Sequence, residues 1–413
     1  MRENKFNLVQ TIFVILGVML VTFFFVPSPG TGNMDNMARW ANTVNDYGLV
    51  TGYSIIADYP PISSVILLFV IRISEFLGIW LYTAIKLSIA FFLVLTSFVF
   101  WLWTRDVLLT LLLHISLLYN SVVLGHVDVY FAPFLILSLW ALKERRLILF
   151  TCVFSIACLI KYQPLIIAPF IALYILNIKQ ITQWKQIDFR RILKHVVLPF
   201  IIIIVPTFAI FGLKPILIKS FYTGTHQGYL SANALNLNWI ITHFLHVFNP
   251  DQFGPLIDGQ ATLIRSTPDQ IRIGPQLVFY LVFIITVLVF FKRDKSFENL
   301  VLFSLLGYWA YFTLNTGVHE NHLFIGMILS IVLFWLNKKH LLTMLTLILI
   351  SNLNLIVFNG MDGKEIQFSR VISGVDMALL IAIFNVGVFV VFWIVNMMPE
   401  KKQLSQKSTR FEE

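Results

Sequence analysis

Two carboxylates in one polar stretch have the type and setting for acid–base chemistry. Asp58 stands in Ile56-Ala57-Asp58-Tyr59-Pro60-Pro61, after the first hydrophobic run, and Asp35 precedes it in the same loop. Pro60 and Pro61 donate no backbone hydrogen bond, and Pro60 pushes Tyr59 towards extended geometry. Asp58 therefore belongs to stiff, non-helical backbone suited to a general base that takes a proton from an acceptor hydroxyl. The same residue type also caps turns before helices, so both roles stay open. Asp35 precedes the helical-looking stretch Asn36–Asn45 as a candidate N-cap, or serves as a second carboxylate that orients an acceptor or helps hold a metal.

Further groups lie far along the chain. His319 and Glu320 sit in Val318-His319-Glu320-Asn321-His322, where a histidine N–H suits a phosphate oxygen and the neighbouring acid anchors it. His319 and His322 are three apart, but no helix-borne His-Glu-x-x-His accompanies them, so no metal site is assigned. Lys161, in Lys161-Tyr162-Gln163-Pro164, could pair with a phosphate oxygen or snorkel to the surface. His126 and Asp128 sit in a break between two spans, where burial makes polar residues costly; a loop cap accounts for Asp128 equally. Asn233 and Trp239, in the amide-rich run Leu230–Trp239, suit sugar hydroxyls and ring faces, or a helix at the membrane interface.

The elements that must position these groups are membrane spans. Of 413 residues, 58% are hydrophobic and 12% charged, with a mean hydropathy of +0.82. Runs such as Leu8–Val26 and Met377–Met397 are long enough to cross a hydrocarbon core of roughly 30 Å. The first run has no small-residue cleavage site and reads as a retained span. The net charge of +9 resides in short basic breaks, including Lys143/Arg145/Arg146, Lys179 to Lys194 and Lys338/Lys339. That distribution is a positive-inside pattern rather than a nucleic-acid surface. Most acids gather in the opposite breaks. Cys152 and Cys158, six apart on one span, rise about 9 Å and cannot be bridged.

Ile62–Leu77 carries Arg72 and Glu75, and charges at bilayer depth cost roughly 2.5–3.5 kcal/mol or more each. It is expected to lie on or dip into the outer surface. The remaining hydrophobic runs are expected near 8–26, 83–103, 107–124, 127–142, 147–160, 163–177, 196–213, 276–291, 298–314, 323–336, 341–358 and 376–397. The predicted fold is thus all-α and polytopic, about twelve crossings with both termini inside. Residues 1–413 form one integral domain, with a catalytic outer loop at 27–82, a second large outer loop at 214–275 and a charged cytoplasmic tail at 398–413.

The order of elements resembles the GT-C superfamily of membrane glycosyltransferases. It runs from Asp35 in the first outer loop through Asp58-Tyr59-Pro60-Pro61 and His126-x-Asp128 to His319-Glu320, all on one predicted face. It is most similar to the glucosyltransferases that extend the asparagine-linked glycan precursor from dolichyl-phosphate-glucose, and to related bacterial enzymes. The resemblance implies inverting transfer of a hexose from a polyprenyl-phosphate-linked donor to a glycan or lipid-linked acceptor hydroxyl. Asp58 would be the base and His319 would contact the donor phosphate, with Glu320 and Lys161 beside it. Tyr59, His126, Asp128, Asn233 and Trp239 complete the expected site. No divalent metal or other cofactor is expected, since phosphate already leaves well. Expected partners are the two substrates and membrane lipids, with no nucleic acid, and the expected location is a bacterial plasma membrane with its site on the outer face. The chain departs from the glucosyltransferases at Val129-Tyr130-Phe131-Ala132 and at Asn321-His322, which leaves sugar and acceptor open. A secondary transporter is disfavoured by the absence of related halves and by acids placed in loops. A glycan polymerase or ligase with a lipid-pyrophosphate donor would lean on loop arginines such as Arg265 and Arg272.

Overall fold

The computed structural model describes residues 8–222 and 227–398, a chain that is mostly helical with few and short strands. The expectations for residues 1–7 and for the tail beyond Met398 lie outside the described residues. The helices are α1 (Leu8–Phe25), α2 (Asn33–Asp46), α3 (Leu49–Ile56), α4 (Pro61–Leu77), α5 (Leu81–Thr104), α6 (Val107–Leu118), α7 (Ala132–Lys143) and α8 (Leu147–Ile160). There follow α9 (Ala168–Leu176), α10 (Leu198–Phe211), α11 (Leu237–Phe248), α12 (Asp269–Lys292), α13 (Phe297–Leu314), α14 (Phe324–Leu336), α15 (Leu341–Asn359) and α16 (Met377–Met397).

Among the described residues, five helices are long and apolar enough to cross a membrane: Leu81–Thr104, Phe189–Phe211, Asp269–Lys292, Lys338–Asn359 and Met377–Met397. Several of the other expected spans are shorter apolar helices, among them Leu147–Ile160 and Gln163–Leu176. Twelve crossings are therefore not reached by length and apolarity alone. The runs near 107–124, 127–142 and 163–177 are not uniform helices. Tyr119–Val123 is a π-helical turn, and Val127–Tyr130 and Gln163–Ile167 are 3-10 turns, each set at the end of an α-helix. The run expected from 276 begins earlier, because α12 starts at Asp269 with Pro268 before it and an acid in its first turn, both favourable at a helix N-terminus.

The bundle is built around α13 and α14, which are buried on every side as only interior helices are. α12 and α14 flank α13, α15 packs on α14, and α5, α7 and α8 form a neighbouring layer. Gly307 in α13 makes room for Phe170 of α9, since a Cβ there would lie 2.5 Å from the ring. By contrast α10 exposes most of its apolar side chains, the face that an apolar solvent would cover.

The first loop is folded rather than loose. Its helices α2 and α3 pack on each other, and α2 also packs on α4 and α5. α4 rests on α2, α5 and α8 through Leu67, Val70 and Ile71. Its two charges, Arg72 and Glu75, pair at 3.0 Å on the exposed side. The start of the loop is held by Lys86 of α5, whose ammonium donates to the Val122 and Val123 carbonyls at 2.6 and 2.9 Å and to Ser28 Oγ at 3.2 Å. Late loops meet in two short strands, β1 (Ser231–Ala232) and β2 (Val318–His319), paired in parallel with Ala232 opposite His319. A second pair, β3 (Val371–Ile372) and β4 (Val375–Asp376), forms a tight hairpin before α16.

Candidate active site

Asp58 lies in the connector between α3 and α4. α3 ends at Ala57, which takes a left-handed conformation with φ 41°, and α4 opens with Pro61 at its first position after an extended Pro60 with ψ 159°. The proline needs no backbone donor in the first helical turn and the extended residue before it is what the ring requires. Asp58 and Tyr59 are therefore carried on a short strut between two helix ends. Asp58 reaches solvent, but that solvent lies within a concave wall. Burial by the wall raises its carboxyl above the ordinary value, and the Arg39 guanidinium opposes the shift.

The wall is a cavity of about 700 Å³ that gathers distant segments. Asn33, Asn36 and Trp40 of α2 line it with Asp58 and Tyr59, Lys161 to Gln163 enter after α8, and Gln227 and Tyr229 come from the long segment between α10 and α11. His319 to His322 close it from the turn between α13 and α14. One flank is apolar, formed by Leu165, Ile166, Pro169, Phe279 and Phe283. Tyr59 meets Trp40 edge to face at 5.4 Å, and the Lys161 ammonium sits 5.6 Å from the Tyr59 ring.

Lys161 is the buried cation of the site. It donates to Asp128 Oδ1 at 2.8 Å, while Asn321 Nδ2 donates to the other carboxylate oxygen at 2.6 Å. Burial opposes the charge on Lys161, but Asp128 outweighs it and the ammonium is held above its ordinary value. Such a pair survives away from water because each partner satisfies the other. Asp128 is 0% exposed and does not line the cavity, and neither does His126. Asp128, expected in the substrate site, lies behind Lys161 and Asn321, which both donate to it. Both ring nitrogens of His126 are buried without a partner among the described residues.

His319 and His322 are held in a reciprocal cap. The His319 side chain accepts from the His322 backbone, and His322 Nδ1 lies 3.4 Å from the His319 N–H and 3.0 Å from the Tyr311 hydroxyl. Burial drives the His319 pKa down to about 4, so its ring is neutral near pH 7. A neutral ring that accepts at one nitrogen donates at the other; His319 Nε2 donates to Gln227 Oε1 at 2.7 Å. By the same reasoning His322 carries its proton on Nε2, at the cavity wall. Glu320, also on that wall, is pushed up to about 7 by burial.

Asp35 is elsewhere. It sits in the first turn of α2, whose N-cap is Gly32, so the N-cap expectation is corrected; its exposed carboxylate accepts from the Tyr82 hydroxyl. Asn233 and Trp239 are also outside this cavity, and line a separate one of about 260 Å³. The amides around them are spent on the fold. Asn236 donates to the Phe312 carbonyl at 2.8 Å and Asn238 to that of Asn315 at 2.8 Å. Asn354 accepts from the Leu235 N–H at 2.7 Å and donates to the Asn233 carbonyl at 2.9 Å.

Arg272 is committed to the Gln227 carbonyl and to Asp269, so it fixes the loop rather than facing the cavity. Cys152 and Cys158 are free thiols. Among the described residues no three His, Cys, Asp or Glu side chains are grouped to share a metal ion.

The residues that sequence reasoning passed over are Gln163, Gln227, Tyr311 and His322 as a donor. Gln163 carries the clearest mark: it is 7% exposed, and both atoms of its amide lack a partner at the cavity wall. Its place directly after Lys161-Tyr162 was the available signal. No protein-family model matches this chain, and no curated protein matches it in sequence.

Proposed function

We propose that this protein is an inverting glycosyltransferase that moves a hexose from a polyprenyl-phosphate-linked donor to a glycan or lipid-linked acceptor hydroxyl on the outer face of the membrane. The observation that carries the reading is the shared cavity. One wall holds an unpaired carboxylate of raised pKa on a stiff strut, and the others hold a buried ammonium, two neutral histidines and a near-neutral acid. The apolar flank suits the first isoprene units of a lipid donor, and the polar end suits its phosphate and sugar.

In the reaction the acceptor oxygen attacks the anomeric carbon while Asp58 takes its proton. The bond from that carbon to the phosphate oxygen breaks, and polyprenyl phosphate leaves with the electron pair. Lys161, the His322 Nε2–H and the His319 Nε2–H stabilise the charge that grows on the phosphate; for His319, a phosphate oxygen replaces Gln227 Oε1. Gln163 offers its unpaired amide to sugar hydroxyls, because a buried amide left without partners costs about 1–3 kcal/mol.

The test is sugar transfer by purified protein in detergent across a panel of synthetic polyprenyl-phosphate sugars, with and without EDTA. Asp58→Asn is expected to lose about 10²–10⁴-fold in kcat with the fold intact, and His319→Ala about 10²-fold. Unchanged turnover in Asp58→Asn would refute the base assignment. Activity abolished by EDTA would refute a metal-independent mechanism.

A further inference from the structure

The second cavity lies between the large outer loop at Ile257–Leu263 and the segment after α15, and it is lined by Trp239, Asn233, Asp258, Gln260, Phe358 and Arg370 among others. Trp239 is 0% exposed, and its indole N–H has no hydrogen-bond partner among the described residues. A buried donor left without an acceptor is destabilising, a penalty removed when a ligand supplies one. The indole packs edge to face on Phe358 at 4.8 Å, so the wall offers an aromatic surface beside that unmet donor.

The charges select the ligand class. Arg370 is neutralised by Asp376, at 3.2 Å from both carboxylate oxygens, and donates to the Ala261 carbonyl at 2.6 Å. Asp258 adds a carboxylate to the lining, which opposes an anion, and the paired guanidinium leaves no free positive charge to attract one. Gln260 and Asn233 supply amides that a purely apolar ligand would leave unsatisfied. The volume of about 260 Å³ falls below the roughly 300–1,000 Å³ of sites for drug-sized ligands, so the site takes one ring.

We propose that this cavity is a second binding site, for a single neutral pyranose residue of a glycan. None of the residues assigned the base or phosphate roles in the first cavity lines this one. The two sites are joined through the backbone: Asn233, in a left-handed conformation with φ 60°, forms a bridge with His319 directly after β1. The site goes beyond the transfer reading, and sugar binding there would stand even if no transfer were observed.

The experiment is fluorine NMR on the full chain in detergent, labelled with fluorotryptophan, with the Trp239 resonance identified by its loss in Trp239→Phe. Methyl glycosides of glucose, mannose and galactose, N-acetylglucosamine, inorganic phosphate and a polyprenyl-phosphate sugar are titrated in turn. The expected result is a saturable shift of the Trp239 signal with at least one free glycoside and none with phosphate. Gln260→Ala should weaken that response about tenfold. Should Trp239→Phe fail to fold, protection of the Ile257–Leu263 amides from hydrogen exchange by the same glycosides is the readout. Silence towards every free glycoside, a response to phosphate alone, or a response only to the lipid-linked sugar would each overturn the proposal. Because the transfer assay reads Asp58 and this one reads Trp239, the two failures are told apart.

Discussion

Glu320 is the residue whose chemistry should be visible from outside the site. Its carboxyl titrates near 4.5 when unfolded, and burial lifts it to about 7 in the folded protein. The folded state therefore holds a proton that the unfolded state has lost, and stability falls as pH rises through that window. The loss by pH 8 is at most on the order of 3 kcal/mol, since each tenfold difference in proton affinity between the two states is worth about 1.4 kcal/mol. Glu320→Gln should remove this slope, so thermal unfolding of the two proteins in detergent should diverge between about pH 5 and pH 8. Under the proposed function, transfer should respond in parallel. Below the Asp58 pKa the proposed base would be protonated; above about 7 an ionised Glu320 would repel the proposed donor phosphate, which would give a bell-shaped profile. Glu320→Gln should retain the acid limb and lose the alkaline one. An unchanged alkaline limb would remove Glu320 from the donor site.

At the level of elements, the strut that carries Asp58 is only as fixed as the helices it joins. α3 approaches α2 through Gly52, where a Cβ would lie 2.6 Å from Val44 Cα and 2.8 Å from the Thr43 carbonyl oxygen. These are backbone atoms and cannot swing aside, so Gly52→Ala must push α3 away. The expected cost is about 1–3 kcal/mol of stability, with a larger fractional loss of kcat than of donor binding, measured by unfolding and by steady-state kinetics. Equal losses would mean that α3 does not set the position of Asp58. The strut itself was legible in the sequence, because two successive prolines after an acid allow little else. The His319-Glu320 turn was equally plain, as a polar break between two apolar runs. Hydrophobic periodicity did not reveal that Lys161 and Asp128 pair across the ends of two helices, since nothing local to either residue encodes the other. Nor did it distinguish an asparagine run that meets sugar from one that ties helices together. Asn236, Asn238 and Asn354 are read correctly only once α13 and α15 stand beside them.

Over the whole molecule, the long loop before α11 is anchored to the bundle by polar ties rather than by a second apolar core of comparable size. Asn354 of α15 satisfies the Leu235 N–H and the Asn233 carbonyl, and Asn385 of α16 takes the Trp309 indole N–H at 2.9 Å while donating to the Leu235 carbonyl at 2.9 Å. Asn354→Leu would strand two buried backbone groups, at about 1–3 kcal/mol each. The expected signature is a lowered unfolding temperature, with faster hydrogen exchange at 230–240 and little change in α7 or α8. Uniform loss of protection would mean instead that the loop and the bundle unfold as one unit. The parallel pairing of β1 with β2 also sets an order in time. Asp58 precedes His319 by most of the chain, and the β1–β2 pairing can form only once residues 318–319 have been synthesised. Under the proposed function, a nascent chain thus carries its base long before it carries the His319 end of the donor site.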